Sequence, residues 1–287
     1  MSTPPFLHLP RGVRQERIST PRGELAALVA PAALDGEDEQ RPPVLLIPGF
    51  TGSKEDFIAL LEPIAAAGHD VVAIDQRGQF ESPGADDPAE YDIKHLAEDV
   101  LAVIGQLGGA VHLVGHSFGG LVARAAALAQ RAAVRSLTLL GSGPGAIPHP
   151  AASNLSLLVQ ALPTVDLETI WSVKRQMEID AGDEPPPQHI EDFLRRRFLA
   201  NHPVALLRLA EQLLTEEDRV AEVAALDLPL LVAFGEHDDA WPPAVQADMA
   251  ARLGATVRRI AEAGHSPAAE NPAATAGVLT TFWAATH

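Results

Sequence analysis

Short, largely apolar segments alternate with helical patterns along most of this chain, and the alternation constrains the fold more than any single residue. A short run such as 43–47 is apolar on both sides, which suits a strand covered on both faces of a parallel sheet. Parallel strands need crossover connections, and the helical patterns supply them. The predicted strands lie at residues 43–47, 70–74, 111–114, 136–140, 229–234 and 256–260. The sequence therefore predicts an α/β fold with a doubly wound, mostly parallel sheet.

The first part of the chain has a different pattern. Residues 18–30 predict an antiparallel hairpin that turns at Thr20-Pro21-Arg22-Gly23, because proline and glycine favour a tight turn there. Residues 35–43 are polar and are expected to form a loop.

A third pattern begins after the strand at 136–140. Residues 144–214 contain no apolar strand segment, and their periodicity predicts helices at 154–161, 167–179, 190–200 and 204–214. We expect a helical cap at 144–214, inserted into an α/β core formed by residues 1–143 and 215–287. Four packed surface helices are the alternative interpretation.

One strand-to-helix junction carries the sequence Gly115-His116-Ser117-Phe118-Gly119. A Gly-x-Ser-x-Gly match occurs often by chance, but a strand before it and a helix after it strengthen the signal. In that setting the serine lies at the apex of a tight turn, where a Cβ on either glycine would collide with neighbouring backbone. Ser117 becomes a nucleophile only if a base reaches its hydroxyl.

A base and an acid follow later in the chain, each directly behind a predicted strand. His265 is the candidate base, and the adjacent pair Asp238 and Asp239 contains the candidate acid. Open α/β sheets bind their ligands at the carboxyl ends of the strands. With Ser117, the chain order is serine, acid, histidine. In such a set the histidine takes the serine proton, and the acid holds the tautomer of the histidine.

Composition excludes several other chemistries. The chain of 287 residues has no cysteine, which rules out disulfides, thiolate metal sites and a cysteine nucleophile. Its net charge of −17 disfavours nucleic acid and anionic membranes as partners, so a small-molecule substrate is expected. His237 beside Asp238 has no third ligand at metal spacing, so we expect no metal and no cofactor. Neither a signal peptide nor an apolar membrane span is visible, and we expect a cytoplasmic protein; the oligomeric state stays open.

These features together resemble the α/β-hydrolase family, over essentially the full length of the chain outside residues 1–15. The resemblance implies that Ser117 is the nucleophile, His265 the base and Asp238 the acid. It also implies that the backbone N–H groups of Phe118 and Phe50 form an oxyanion hole, and that the helical insertion is the cap of the family. The matching segments are Pro48-Gly49-Phe50, Asp75-Gln76-Arg77-Gly78, Gly115-His116-Ser117-Phe118-Gly119-Gly120, Gly235-Glu236-His237-Asp238 with Pro242, and Gly264-His265-Ser266-Pro267.

Two details refine this resemblance. Asp238 is favoured over Asp239 because Pro242 lies four residues after it, which matches the Asp-x-x-x-Pro spacing of the family. Many members carry His-Gly where this chain has Pro48-Gly49. Since the oxyanion donor is a backbone N–H, we expect the oxyanion hole to be retained.

The resulting hypothesis is a serine hydrolase that cleaves a carboxylic ester, thioester or lactone of a small to medium, largely apolar substrate through an acyl-enzyme on Ser117. Carbon–carbon bond hydrolysis and cofactor-free perhydrolysis are alternatives on the same triad. Epoxide and haloalkane cleavage are disfavoured, because those branches of the family need aspartate at the position that Ser117 occupies. An alternative of another class is a non-catalytic small-molecule receptor on the same fold.

The remaining polar residues near these motifs are given structural roles. We expect His116 to pack within the tight turn at Ser117, and we expect Arg77 to brace its own loop. The three arginines at 195–197 are interpreted as a solvated helix face rather than as a carboxylate site.

Overall fold

A computed structural model describes residues 1–33, 41–182 and 184–286 of the chain. Eight strands form one sheet in the order β1-β2-β4-β3-β5-β6-β7-β8. The pairs β1–β2 and β2–β4 are antiparallel, and every other neighbouring pair is parallel. The strands are β1 (Arg14–Thr20), β2 (Gly23–Ala30), β3 (Arg41–Ile47), β4 (His69–Ile74), β5 (Val111–His116), β6 (Val134–Leu140), β7 (Leu230–Gly235) and β8 (Thr256–Ile260).

Helices cover both faces of this sheet, so the predicted α/β fold with a mostly parallel sheet is confirmed. Short 3₁₀ helices lie at Lys54–Phe57, Pro88–Tyr91 and Arg131–Ala133. The α-helices are α1 (Ile58–Ala66), α2 (Ile93–Gln106), α3 (Phe118–Ala129), α4 (Ala151–Ala161), α5 (Leu167–Asp180), α6 (Gln188–Leu199), α7 (Pro203–Thr215), α8 (Val220–Ala224), α9 (Pro243–Leu253), α10 (Pro267–Glu270) and α11 (Pro272–Ala284).

The alternation of side chains along the central strands explains why both faces are covered. In β3, Leu45 and Ile47 join the core on one face, while Val44 and Leu46 join the core on the other. All four side chains are fully buried. A strand with no solvated face must be apolar throughout, which is the pattern that the sequence shows.

The start of the sheet contains one confirmed prediction and one error. Thr20 pairs with Gly23 across the predicted hairpin turn. The polar loop expected at 35–43 is wrong for residues 41–43, which lie in β3; the rest of that expectation falls on residues 34–40, outside the described residues. β3 begins early because Arg41 pairs with His69 and its N–H donates to the carbonyl of Gly68. The two prolines that follow carry no N–H, and the pairing resumes at Val44.

Between β6 and β7 the described residues of 144–214 contain helices and no strand. The four helices predicted there are confirmed, with ends that differ by three residues or fewer. Apolar side chains of this segment form a cluster of their own. Its buried members are Leu162, Ile170, Trp171, Ile190, Phe193, Leu194, Phe198 and Leu206. Leu209 and Leu213 of α7 instead join the core on the sheet, which ties the segment to the rest of the fold.

Candidate active site

Ser117 lies between β5 and α3 with φ 53° and ψ −122°, a backbone conformation that is uncommon for a residue with a side chain. Its N–H donates to the carbonyl of Leu140 at 3.0 Å, and the Ser142 hydroxyl donates to its carbonyl at 2.8 Å. A Cβ on Gly115 would meet the carbonyl of Gly119, so the flanking glycine permits the close approach. These contacts hold the strained turn that presents the Ser117 hydroxyl.

The three polar side chains predicted to act together meet in one line of hydrogen bonds. His265 Nε2 is 3.0 Å from Ser117 Oγ, and His265 Nδ1 is 2.9 Å from Asp238 Oδ1. An ionised carboxylate only accepts hydrogen bonds, so the proton of the neutral imidazole is on Nδ1. Nε2 is then left as the acceptor for the serine hydroxyl, which is the arrangement that general-base catalysis needs. Asp239, the alternative acid, is exposed.

The Asp238 carboxylate is buried among donors. Its Oδ1 also accepts from the N–H of Ala240 at 3.0 Å and of Trp241 at 3.3 Å. Its Oδ2 accepts from Gln246 Nε2 at 2.7 Å, and the same Nε2 donates to the carbonyl of Trp241. Sequence reasoning missed Gln246, since it lies in α9, outside every motif. Its role is visible only once α9 packs against the turn that follows β7.

His116 does more than fill space beside the serine. Its Nε2 donates to the backbone carbonyl of His265 at 2.8 Å, and the two rings lie 5.1 Å apart. Burial, together with a smaller effect of the nearby His265, lowers the pKa of His116 to about 4. The ring is therefore neutral near pH 7, and its single N–H is committed to holding the His265 backbone.

Two backbone N–H groups, of Phe118 and Phe50, are the predicted oxyanion donors. Phe118 is the first residue of α3, where N–H groups have no partner within the helix. The loop 48–50 lies against the nucleophile: a Cβ on Gly49 would be 3.0 Å from Ser117 Cβ and 3.4 Å from Ser117 Oγ. Over the described ranges of the chain, neither N–H donates a hydrogen bond. Both are free to face a ligand.

Arginines around the site have structural partners. Arg77 donates two hydrogen bonds to Asp99, each at 2.7 Å, and so braces its loop. The interpretation of 195–197 as a solvated face is wrong for Arg197, which is fully buried. Arg197 donates to Asp56 Oδ1 at 2.7 Å and to the carbonyl of Ser2 at 2.6 Å. The reason is that this side of α6 packs against the core rather than against water.

Neither a metal cluster nor a membrane span is found in the part of the chain that the structure describes. There, no group of three or more histidine, aspartate or glutamate side chains is arranged to hold a metal ion. His237 is exposed, and its Nε2 lies 3.4 Å from Glu236 Oε1. Among the helices of those residues, none has the length and apolar character needed to cross a bilayer.

Comparison with known proteins decides the family. A model of the alpha/beta hydrolase family matches residues 44–278, which is most of the chain. The chain belongs to the α/β-hydrolase family. This confirms the family that the motifs indicate, and it makes the protein a hydrolase of that superfamily.

Curated relatives of this α/β hydrolase include enzymes with different substrates. A protein of Variovorax paradoxus named "Putative carbamate hydrolase RutD" is 32% identical over 212 residues, covering 70% of this chain and 75% of its own length. A pimeloyl-[acyl-carrier protein] methyl ester esterase of Aeromonas hydrophila is 32% identical over 216 residues, covering 71% and 80%.

A solved structure agrees on the fold. The thermophilic esterase from Thermogutta terrifontis superposes with a TM-score of 0.74 at 24% identity, over 96% of this chain and 99% of the esterase. At that identity the likeness concerns the fold of this α/β hydrolase and not its substrate.

Proposed function

We propose that this α/β hydrolase is a serine hydrolase that cleaves a carboxylic ester, thioester or lactone through an acyl-enzyme on Ser117. The observation that carries the proposal is the line of hydrogen bonds from Ser117 Oγ to His265 Nε2 and from His265 Nδ1 to Asp238. His265 would take the serine proton as the hydroxyl attacks the carbonyl carbon, and would return it to the leaving group. Water activated by the same histidine then releases the acid.

The proposed mechanism requires stabilisation of two charges that develop during the attack. The buried Asp238 carboxylate faces the imidazolium that forms on His265. The N–H groups of Phe50 and Phe118 are assigned to the oxyanion. Ser117 is only 6% exposed, so both interactions operate with little competition from water. One preorganised oxyanion donor contributes roughly 10²–10³ in kcat in serine hydrolases.

For the substrate, we propose a small to medium, largely apolar acyl group beneath a cap formed by residues 144–214. Phe50, whose N–H is a proposed oxyanion donor, packs against both the core on the sheet and the separate cluster of the 144–214 segment. Leu158 of α4 does the same. These contacts support a boundary between cap and core close to Ser117, and the apolar character of both sides supports an apolar substrate.

A carbamate is a second candidate substrate. The observation that favours it is the 32% identity to the relative named as a carbamate hydrolase. A carbamate carbonyl is attacked by the same nucleophile, so with a common aryl leaving group the two candidates differ in whether carbon or nitrogen is bonded to the carbonyl that Ser117 takes up, and not in the machinery. Paired aryl esters and aryl carbamates of equal chain length distinguish them by their ratio of kcat/KM.

The mechanism is tested by Ser117→Ala. We expect loss of fluorophosphonate labelling and a fall in kcat on aryl esters of about 10⁴-fold or more, because the covalent step has no nucleophile. Ser172→Ala is the matched control, since Ser172 is an exposed serine on α5, and it should label and turn over as the unmodified protein does. Undiminished turnover in Ser117→Ala would contradict the serine mechanism.

A further inference from the structure

We propose that Gln79 is a positioning residue that sets which way the Gly49–Phe50 peptide faces, and thereby aims the Phe50 N–H at the oxyanion. This inference rests on the proposed function, and it assigns a role to a residue outside the triad and the oxyanion hole. Gln79 lies in the loop that follows β4 and is 1% exposed.

Two buried glutamines donate to successive backbone carbonyls of the loop 48–50, the oxyanion loop. Gln79 Nε2 donates to the carbonyl of Gly49 at 2.8 Å and to that of Phe50 at 3.0 Å. Gln76 Nε2 donates to the carbonyl of Pro48 at 3.0 Å. Three consecutive carbonyls of one loop therefore face the same neighbouring loop.

The geometry of the peptide bond turns these contacts into an orientation. In a trans peptide the C=O and the N–H of the next residue point in opposite directions. Because the Gly49 carbonyl faces Gln79, the Phe50 N–H faces away from Gln79. Gly49 also lies close to Ser117, since a Cβ on Gly49 would be 3.0 Å from Ser117 Cβ. The N–H is thus held toward the side of the loop opposite Gln79, which is where the proposal places the oxyanion.

Two donors hold the Gly49 carbonyl: the N–H of Gly52, close by in the same segment, at 3.1 Å, and Gln79 Nε2 from outside that segment. Glycine lacks a Cβ and rotates through conformations that other residues avoid, so the backbone of Gly49 does not by itself prevent a flip of the Gly49–Phe50 peptide. A flipped peptide would turn its carbonyl toward the developing oxyanion and would repel it. The bond from Gln79 Nε2, the shorter of the two, opposes that flip together with the bond from the Gly52 N–H.

The amide of Gln79 is itself fixed in one orientation. Its Oε1 accepts from the backbone N–H of Gln76 at 3.1 Å, which directs Nε2 toward the loop carbonyls. The loop that carries Gln79 is anchored by Asp75, which accepts from Lys54 N at 2.7 Å and from Lys54 Nζ at 2.9 Å. Ser82 Oγ donates to the carbonyl of Asp75 at 2.8 Å. Gln79 is thus a rigid donor.

Two substitutions at position 79 test the inference on an aryl ester, with kcat and KM measured from pH 5 to 9. Gln79→Met has nearly the same shape without the donor, and we expect kcat to fall by about 10–100-fold with KM changed less than about threefold. Gln79→Glu keeps a donor only while the introduced carboxyl is protonated. Once ionised, it repels the Gly49 carbonyl and accepts from a flipped Phe50 N–H. Its kcat relative to the unmodified enzyme should therefore fall as pH rises.

Gln212→Glu is the matched control for burying a carboxyl. Gln212 is another buried glutamine that accepts from a backbone N–H, of Ile93 at 2.7 Å, and donates to a backbone carbonyl, of Tyr91 at 2.8 Å. Within the described residues, the hydrogen-bond partners of its side chain are Ile93, Tyr91 and Arg208, which belong neither to the oxyanion loop nor to the triad. Its kcat relative to the unmodified enzyme should not vary with pH.

Each outcome decides the question. Unmodified kcat in both variants at position 79, or a Gln79→Glu profile parallel to that of Gln212→Glu, overturns the inference. If Gln79→Met fails to fold, the pH dependence of Gln79→Glu still decides, since its protonated form retains the donor. Ser117→Ala is measured alongside: undiminished turnover there overturns the proposed function and this inference together, whereas Ser117-dependent turnover with unaffected Gln79 variants overturns this inference alone.

Discussion

Replacing Asp238 by asparagine removes one negative charge 2.9 Å from the His265 ring. At the effective dielectric constant of about 20 that suits protein sites, that charge stabilises an imidazolium by about 6 kcal/mol, or roughly 10⁴ in rate. The hydrogen bonds also favour a carboxylate, because both oxygens of Asp238 act as acceptors. Their donors are His265, Ala240, Trp241 and Gln246. An asparagine must turn its own NH₂ toward one of these donors.

Asp239→Asn supplies the matched control, since it makes the same chemical change one residue away on an exposed side chain. We expect Asp238→Asn to lower kcat on an aryl ester by about 10⁴-fold and Asp239→Asn by less than about twofold. Steady-state kinetics measure kcat for both variants, and the thermal midpoint of each variant is measured to confirm that it is folded. A larger loss in Asp239→Asn, or an Asp238→Asn enzyme within about tenfold of the unmodified one, would refute the reasoning.

Two further predictions concern stability. Burial lowers the pKa of His112 to about 3, so between pH 6.5 and 3 the unfolded chain binds a proton at this histidine and the folded chain does not. The contribution of His112 to the free energy of unfolding is therefore complete above pH 6.5 and is lost as pH falls toward 3. His112→Gln should reduce the slope of the urea-derived free energy of unfolding against pH by about 1.4 kcal/mol per pH unit in that range, and an unchanged slope would contradict this. Arg197→Met should cost about 3–5 kcal/mol of unfolding free energy, because it leaves Asp56 buried without its partner. Arg195→Met, which breaks an exposed pair with Glu168, should cost less than about 1 kcal/mol, and equal losses would be the contrary result.

The predictable parts of this fold are those whose signal is local. β8 (Thr256–Ile260) has the bounds that the sequence predicts, and α5 (Leu167–Asp180) differs by one residue. α5 is long enough for a helical period to appear, and glycines lie close to both elements, Gly254 before β8 and Gly182 after α5. α8 (Val220–Ala224) and α10 (Pro267–Glu270) were not predicted, because helices of four or five residues are too short to show a period.

The polar residues of the candidate site divide in the same way. Ser117 and His265 stand in motifs, so their positions behind strands could be predicted. The sequence does not predict the burial of Arg197, because a run of three arginines does not show which member turns inward. Arg195 faces solvent, whereas Arg197 is buried against Asp56. Gln246 carries no motif at all. The partners of such residues come from other elements, and the tertiary fold alone brings them together.

Four buried side chains around the candidate site share one physical task, which is to hold backbone carbonyls of the segments that form the site. Ser142 binds the carbonyl of Ser117, His116 that of His265, Gln79 that of Gly49, and Gln246 that of Trp241. Apolar packing is non-directional and fixes where a segment lies, but not how its peptide planes are rotated. A hydrogen bond weakens steeply when it bends, so a buried donor fixes the rotation as well. Since an oxyanion hole and a general base depend on orientation to a fraction of an ångström, the core can be repacked with other apolar side chains more readily than these donors can be replaced.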